Sequence, residues 1–151
     1  MDAALSYLER SPRTVREVER RLDECEFGEA DIDAVTLRLT ELGLVNDQAF
    51  AQDYIETRLN TKPISKAHLR EQLRVHEVPE EIIDEALAFV DDHREQENAL
   101  AVAQKYNRQF SALPDEERYE RVLKRILARG YSFDTAKEAM ERVVSLEMEE
   151  S

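Results

Sequence analysis

Five bases, Arg58, Lys62, Lys66, Arg70 and Arg74, recur every four residues in the middle of this chain, and Glu71 is the only acid among residues 58–75. Cations spaced at one helical turn line up on one helix face, so Lys66, Arg70 and Arg74 are expected to share a face while Leu69 and Leu73 point inward beside them. The chemistry such a row offers is anion recognition, either of carboxylates on a partner protein or of phosphates. A plainer reading competes with it, in which the bases answer the acid-rich stretch that follows, residues 77–92. Two smaller basic clusters occur, Arg13, Arg16 and Arg20 near the N-terminus and Arg118, Arg121, Lys124, Arg125 and Arg129 near the C-terminus. Acids interrupt both, so pairing within each helix is the ordinary expectation. The later cluster is the better binding candidate because its third of the chain carries the least negative charge.

Residues able to do covalent or metal chemistry are sparse. Cys25 is the only cysteine, which excludes an intrachain disulfide and a multi-cysteine metal centre. His68, His76 and His93 match no ligand spacing. The carboxylates after Pro79 and Pro114 fall where they would sit on the positive end of a helix dipole, a structural place rather than a catalytic one. With no glycine-rich phosphate loop and no nucleophile motif, the expectation is a protein that is not an enzyme and takes no cofactor.

The 151 residues carry 34 acids and 21 bases, a net charge of −13, so the field of the whole molecule repels nucleic acid and anionic lipid. By thirds the balance is −5 for residues 1–46, −6 for 47–92 and −2 for 93–151. A chain 42% apolar and 36% charged is too hydrophobic for a disordered tail and too charged for a membrane protein. Neither a bilayer-length apolar run nor a signal peptide is visible, and the expected location is the cytoplasm.

The elements that must hold these side chains are helices. Only three glycines and four prolines occur, each at the edge of an apolar pattern. Ser11-Pro12 reads as an N-cap followed by proline at the first helical position, and Pro79 and Pro114 repeat that logic. Gly43 and Gly130, each followed by an apolar residue, read as left-handed helix stops. Between these marks apolar residues recur at three and four, predicting nine helices and no strand. Phe50, Tyr54, Tyr106, Phe110, Tyr119, Tyr131 and Phe133 coincide with apolar positions, and core packing is expected for most of them. Tyr7 sits beside its stripe and is free to face a partner.

Taken in threes, the helices repeat. Val18, Leu22, Phe27, Ile32 and Val35 align with Leu69, Leu73, Val78, Ile83 and Ala86 at an offset of 51, and with Val122, Ile126, Tyr131, Ala136 and Ala139 a further 53 along. A short amphipathic helix cannot bury its stripe alone, whereas three together close a small core that neighbours extend. The expected fold is therefore all-α: three tandem three-helix repeats at 1–46, 47–92 and 93–146 in an elongated, curved array, with residues 147–151 a frayed tail.

The ordered combination Leu42-Gly43-Leu44, Asp47, Phe50-Ala51, Tyr54-Ile55 and Arg58-Leu59 is similar to the "GLLDDxxFAxxFVxxRL" pattern of the RecX family, bacterial regulators of the RecA recombinase. Leu69, Leu73 and Val78, and the ArgGlyTyrSerPhe of residues 129–133, resemble that family's later repeats, so the likeness covers nearly the whole chain. The resemblance implies a non-enzymatic modulator that binds RecA filaments on single-stranded DNA and restrains ATPase, strand exchange and the SOS response; a monomer is expected, and the acidic total argues that direct DNA contact is weak or absent. The candidate contacts, read from the two basic rows, are Arg58, Lys62, Lys66, Arg70, Arg74, Arg121, Lys124, Arg125 and Arg129. The alternatives are a helix-turn-helix DNA-binding module and a helical adaptor for another protein. The chain departs from the family in two places: Glu26 and Glu77 stand where glycine usually follows the second helix of a repeat, with only Gly130 keeping it, and the family's glycine in the loop before helix five is missing, with Pro63 and Ser65 nearby. If the backbones at Glu26 and Glu77 are left-handed, Glu77→Gly should raise the melting temperature.

Overall fold

The computed structural model describes the backbone of residues 1–150 and the side chains of residues 1–149. Among the described residues there are nine helices and no strand: α1 (Asp2–Arg10), α2 (Val15–Glu24), α3 (Glu29–Glu41), α4 (Asp47–Thr61), α5 (Lys66–Val75), α6 (Glu80–Leu87), α7 (Asp92–Gln109), α8 (Asp115–Ala128) and α9 (Phe133–Glu150). Helix order follows the three sets of three, but compactness groups the chain differently, into two units. Unit 1 comprises residues 1–55 and 71–86, and unit 2 comprises residues 56–70 and 87–151. Of the tail expected to fray, residues 147–150 belong to α9, and Ser151 lies outside the described residues.

In unit 1, α1 packs on α2 and α2 on α3. Their stripes meet in a core of Ala4, Val18, Leu22, Ile32, Leu39 and Val45, flanked by half-buried Tyr7 and Leu8. Helix α2 does not start at Ser11-Pro12. Its cap is Thr14, whose hydroxyl accepts from the Glu17 N–H at 3.3 Å while the Glu17 carboxylate accepts from the Thr14 N–H at 3.1 Å. That reciprocal box satisfies two amide donors that an uncapped helix leaves open, which is why the helix begins three residues after the proline. Pro114 is likewise the residue before α8 rather than its first.

Unit 2 is built on α7, against which α8 and α9 both pack. Its core holds Leu100, Val102, Tyr106, Val122, Ile126 and Tyr131 with the inner face of α9. Fully burying each such side chain contributes on the order of 1.5–3 kcal/mol. Two aromatics expected in the core are exposed instead, Tyr119 at 39% and Phe133 at 58%. Tyr119 lies three residues before Val122 on α8, and Phe133 is the first residue of α9, where no preceding turn covers it.

Four helices stop on a left-handed residue. Gly43 and Gly130 adopt φ of 72° and 93°, as their sequence contexts required, and Glu26 and Glu77 adopt 66° and 61°. At Glu26 and Glu77 the bonds of such a stop are complete. The Phe27 and Val78 amides reach back to the Leu22 and Leu73 carbonyls at 3.2 and 3.1 Å, and those of Glu26 and Glu77 reach Asp23 and Arg74, each at 2.9 Å.

Candidate functional site

The central basic row is divided between the units. Four of its members belong to unit 2: Arg58 on α4, Lys62 just past that helix, and Lys66 and Arg70 on α5. Lys62 is exposed and the other three are half-buried. Lys66 opens α5, and its backbone N–H is capped by the Glu95 carboxylate at 2.9 Å. Burial pushes the Glu95 carboxyl above its usual range, and this amide bond partly offsets that. Arg74 belongs to unit 1, where it forms ion pairs with Glu71 and Glu80. The bond it donates to the Glu80 carboxylate is the main reason its guanidinium is held even more firmly charged than usual. Arg74 is therefore answered within unit 1, by Glu71 on α5 and by Glu80 at the start of α6.

The later cluster lies wholly within unit 2. Arg121, Lys124 and Arg125 are exposed on α8. Beneath them α7 presents Tyr106 and Phe110, four residues apart and stacked with ring centroids 6.1 Å apart and planes 18° apart. The Arg125 guanidinium stands 5.4 Å from the Tyr106 ring and 5.8 Å from that of Phe110, Arg121 stands 6.0 Å from Phe110, and the Lys105 ammonium 5.5 Å from Tyr106. Cations held over ring faces gain about 0.5–1 kcal/mol at exposed sites. They also lose less rotamer freedom on binding an anion, which favours affinity. Glu117 pairs with Arg121 at 3.4 Å, an exposed i, i+4 contact worth about 0–1 kcal/mol that leaves Arg121 open to a partner.

Arg129 must be withdrawn from the proposed contacts. It is 7% exposed, with one guanidinium nitrogen donating to the Pro63 carbonyl at 2.9 Å and another to the Tyr106 hydroxyl at 2.8 Å. Burial alone would push the Tyr106 hydroxyl up, but the Arg129 bond and charge, helped by Lys105 and Arg125, bring it below the usual tyrosine range. Arg129 sits at the C-cap of α8, where the chain turns inward, and a helix-face projection from sequence cannot anticipate that.

Sequence reasoning also passed over a polar cluster in unit 1. The Thr14 hydroxyl donates to the His76 carbonyl at 2.7 Å, Glu17 lies 3.1 Å from His76 Nδ1, and Asp47 accepts from the Val15 N–H at 3.0 Å. The His76 ring rests against Phe50 and Tyr54, centroids 5.2 and 5.3 Å away. The Thr-x-x-Glu spacing was the available signal for its first member. Tyr7, the aromatic left free for a partner, has the Arg13 guanidinium 4.2 Å over its ring.

Comparison with known proteins gives this geometry a lineage. Profiles described as the first and second three-helix domains of RecX match residues 1–39 and 46–87. A regulatory protein RecX of Corynebacterium efficiens is 35% identical over 153 aligned positions, which take in 95% of this chain and 73% of that protein. The chain belongs to the RecX family. A RecX relative from Chlorobium phaeobacteroides is 30% identical over 94% of this chain and 91% of its own length. The crystal structure of RecX from Lactobacillus salivarius matches with a TM-score of 0.79 at 26% identity, covering 93% of this chain and 92% of that one. Within the RecX frame, Glu26 and Glu77 adopt the same left-handed backbone as Gly130 at the corresponding repeat position, so one turn is built with two residue types. No helix among the described residues is long and apolar enough to cross a membrane.

Proposed function

We propose that this chain is a non-enzymatic modulator of RecA: a cytoplasmic monomer that binds RecA filaments on single-stranded DNA and restrains their ATPase, strand exchange and the SOS response. The observation that carries the reading is the RecX likeness along almost the whole chain. The contact assigned to it is the α8 face, where Arg121, Lys124 and Arg125 stand exposed over the α7 aromatics. Arg58, Lys62, Lys66 and Arg70 are secondary contacts, and Arg74 contributes least because Glu71 and Glu80 already hold it. Net charge of −13 supports weak contact with free DNA, so the filament protein supplies most of the affinity.

The test is a titration of the DNA-dependent ATPase of a cognate RecA filament. Wild type should inhibit. The triple variant Arg121→Glu, Lys124→Glu, Arg125→Glu, with unchanged circular dichroism, should need at least tenfold more protein for the same inhibition. A wild type that neither alters the ATPase nor co-sediments with the filament would refute the function. A fully active triple variant would refute only the site.

A further inference from the structure

We propose that the turn at residues 25–27 is an open docking end for a partner protein's helix, one that begins on Ser or Thr and carries Arg or Lys six residues later. The chain shows twice how such a turn is covered. At the turn holding Glu77, the N-cap of α2 arrives: the Thr14 hydroxyl donates to the His76 carbonyl at 2.7 Å, and Arg20, six residues on, pairs with Glu77. At the turn holding Gly130, the residue 51 positions after Thr14 covers the corresponding carbonyl, with its backbone instead of its hydroxyl: the Ser65 N–H donates to the Arg129 carbonyl at 3.0 Å. There the left-handed residue is glycine, and the position six after Ser65 is Glu71, not a base. The two covering residues, Thr14 and Ser65, are 0% and 3% exposed, and the apolar residues following the two turns, Val78 and Tyr131, are each 4% exposed.

The first turn has the same backbone, with Glu26 at φ 66°, but Cys25 is exposed and Phe27 is 42% exposed. Beside Phe27 opens a cavity of about 230 Å³, lined by Met1, Leu22, Asp31, Ile32, Ala34 and Val35. The occupant must be basic. Asp23, Glu24, Glu26, Glu29 and Asp31 flank the turn in sequence, Glu24 being paired with Arg21 at 3.5 Å, and no Lys or Arg occurs between Arg21 and Arg38. Unit 1 as a whole holds 19 acids and 7 bases, a balance of −12, against −1 for unit 2. The left-handed carboxylate at Glu26 asks for the same cation that Arg20 gives Glu77. An apolar floor, an acidic rim and a carbonyl at a helix end together fit the first two turns of a helix, and none of the three requires that the helix belong to RecA.

The probe is a lactam-stapled, acetylated peptide copying residues 13–22 with Glu19→Ala, titrated into the full-length ¹⁵N-labelled chain. Saturable shifts centred on Cys25, Phe27 and Ile32 are expected, at least tenfold weaker for the Thr14→Val and the Arg20→Glu peptides. The exposed protein variant Glu26→Lys should weaken the parent peptide tenfold and restore binding of the Arg20→Glu peptide. Absence of saturable shifts at residues 25–32, equal binding of the control peptides, or shifts at residues 76–78 instead would overturn the proposal. So would a concentration-dependent dimer that alkylation of Cys25 abolishes, which would give the face to a second copy. No RecA is present in these titrations, so their failure leaves the ATPase reading standing.

Discussion

At the scale of single residues, three aligned positions occupy one strained conformation with different side chains. An L side chain pays about 1–2 kcal/mol there, partly offset by the greater entropy glycine loses on folding. Glu26→Gly should therefore stabilise the chain by about 0.5–1 kcal/mol, raising the melting temperature by roughly 2–4 °C per kcal/mol. Glu77→Gly should gain less, because it also removes the exposed ion pair with Arg20, worth about 0–1 kcal/mol. Gly130→Ala should be the reverse case. Besides the φ of 93°, its Cβ would collide with the Ser65 hydroxyl and the His68 ring, so a loss of about 2 kcal/mol or more is expected by chemical denaturation. The stop at Gly130 was legible from the glycine itself. The stops at Glu26 and Glu77 could be read only through alignment with it, since nothing in a glutamate announces a left-handed backbone.

At the scale of elements, the N-terminus of α2 joins two tasks in one hydroxyl. Thr14 caps its own helix and satisfies the His76 carbonyl that ends another. Replacing it by alanine removes a cap worth about 1–2 kcal/mol and strands a carbonyl worth about 1 kcal/mol or more, so Thr14→Ala should cost about 2–3 kcal/mol in urea denaturation. Thr14→Ser should recover most of it. A loss no larger than an ordinary cap would show that the His76 bond contributes nothing. The period of the apolar residues gave away each helix, and the Thr14/Glu17 spacing was available for this cap. Its second role was not, because the partner carbonyl is 62 residues away and every carbonyl looks alike in a sequence.

At the scale of the whole molecule, acid charge sets the pH response. Burial pushes Asp47 up, against the Val15 amide bond and with help from Glu17, and Glu95 is raised for the same leading reason. A carboxyl raised in the folded state binds more protons there than in the unfolded chain, so its contribution falls as pH climbs from the ordinary carboxylate range through the raised value. Glu97, held low by its bond from Arg142, acts in the opposite sense. Asp47→Asn keeps an acceptor for Val15 and should raise the melting temperature at pH 7, with the gain vanishing below pH of about 3.5. A gain that persists in acid would exclude burial of charge as its cause. The concentration of −12 in unit 1 adds self-repulsion at neutral pH, which also relaxes on acidification.

Helix count, the apolar face of each helix, two of the four left-handed stops and the family likeness were settled by the order of residues alone. All of them depend on neighbours within a turn or two, or on spacings that repeat. Which cations face solvent was a different matter. Arg74, Arg125 and Arg129 are alike as letters in basic clusters, yet one is held by two glutamates, one lies exposed over two aromatic rings and one is buried on a carbonyl and a phenol. The same holds for Phe27, aligned with two buried residues and itself uncovered. Burial and pairing are set by groups brought close from dozens of residues away, and only the tertiary structure specifies that closeness.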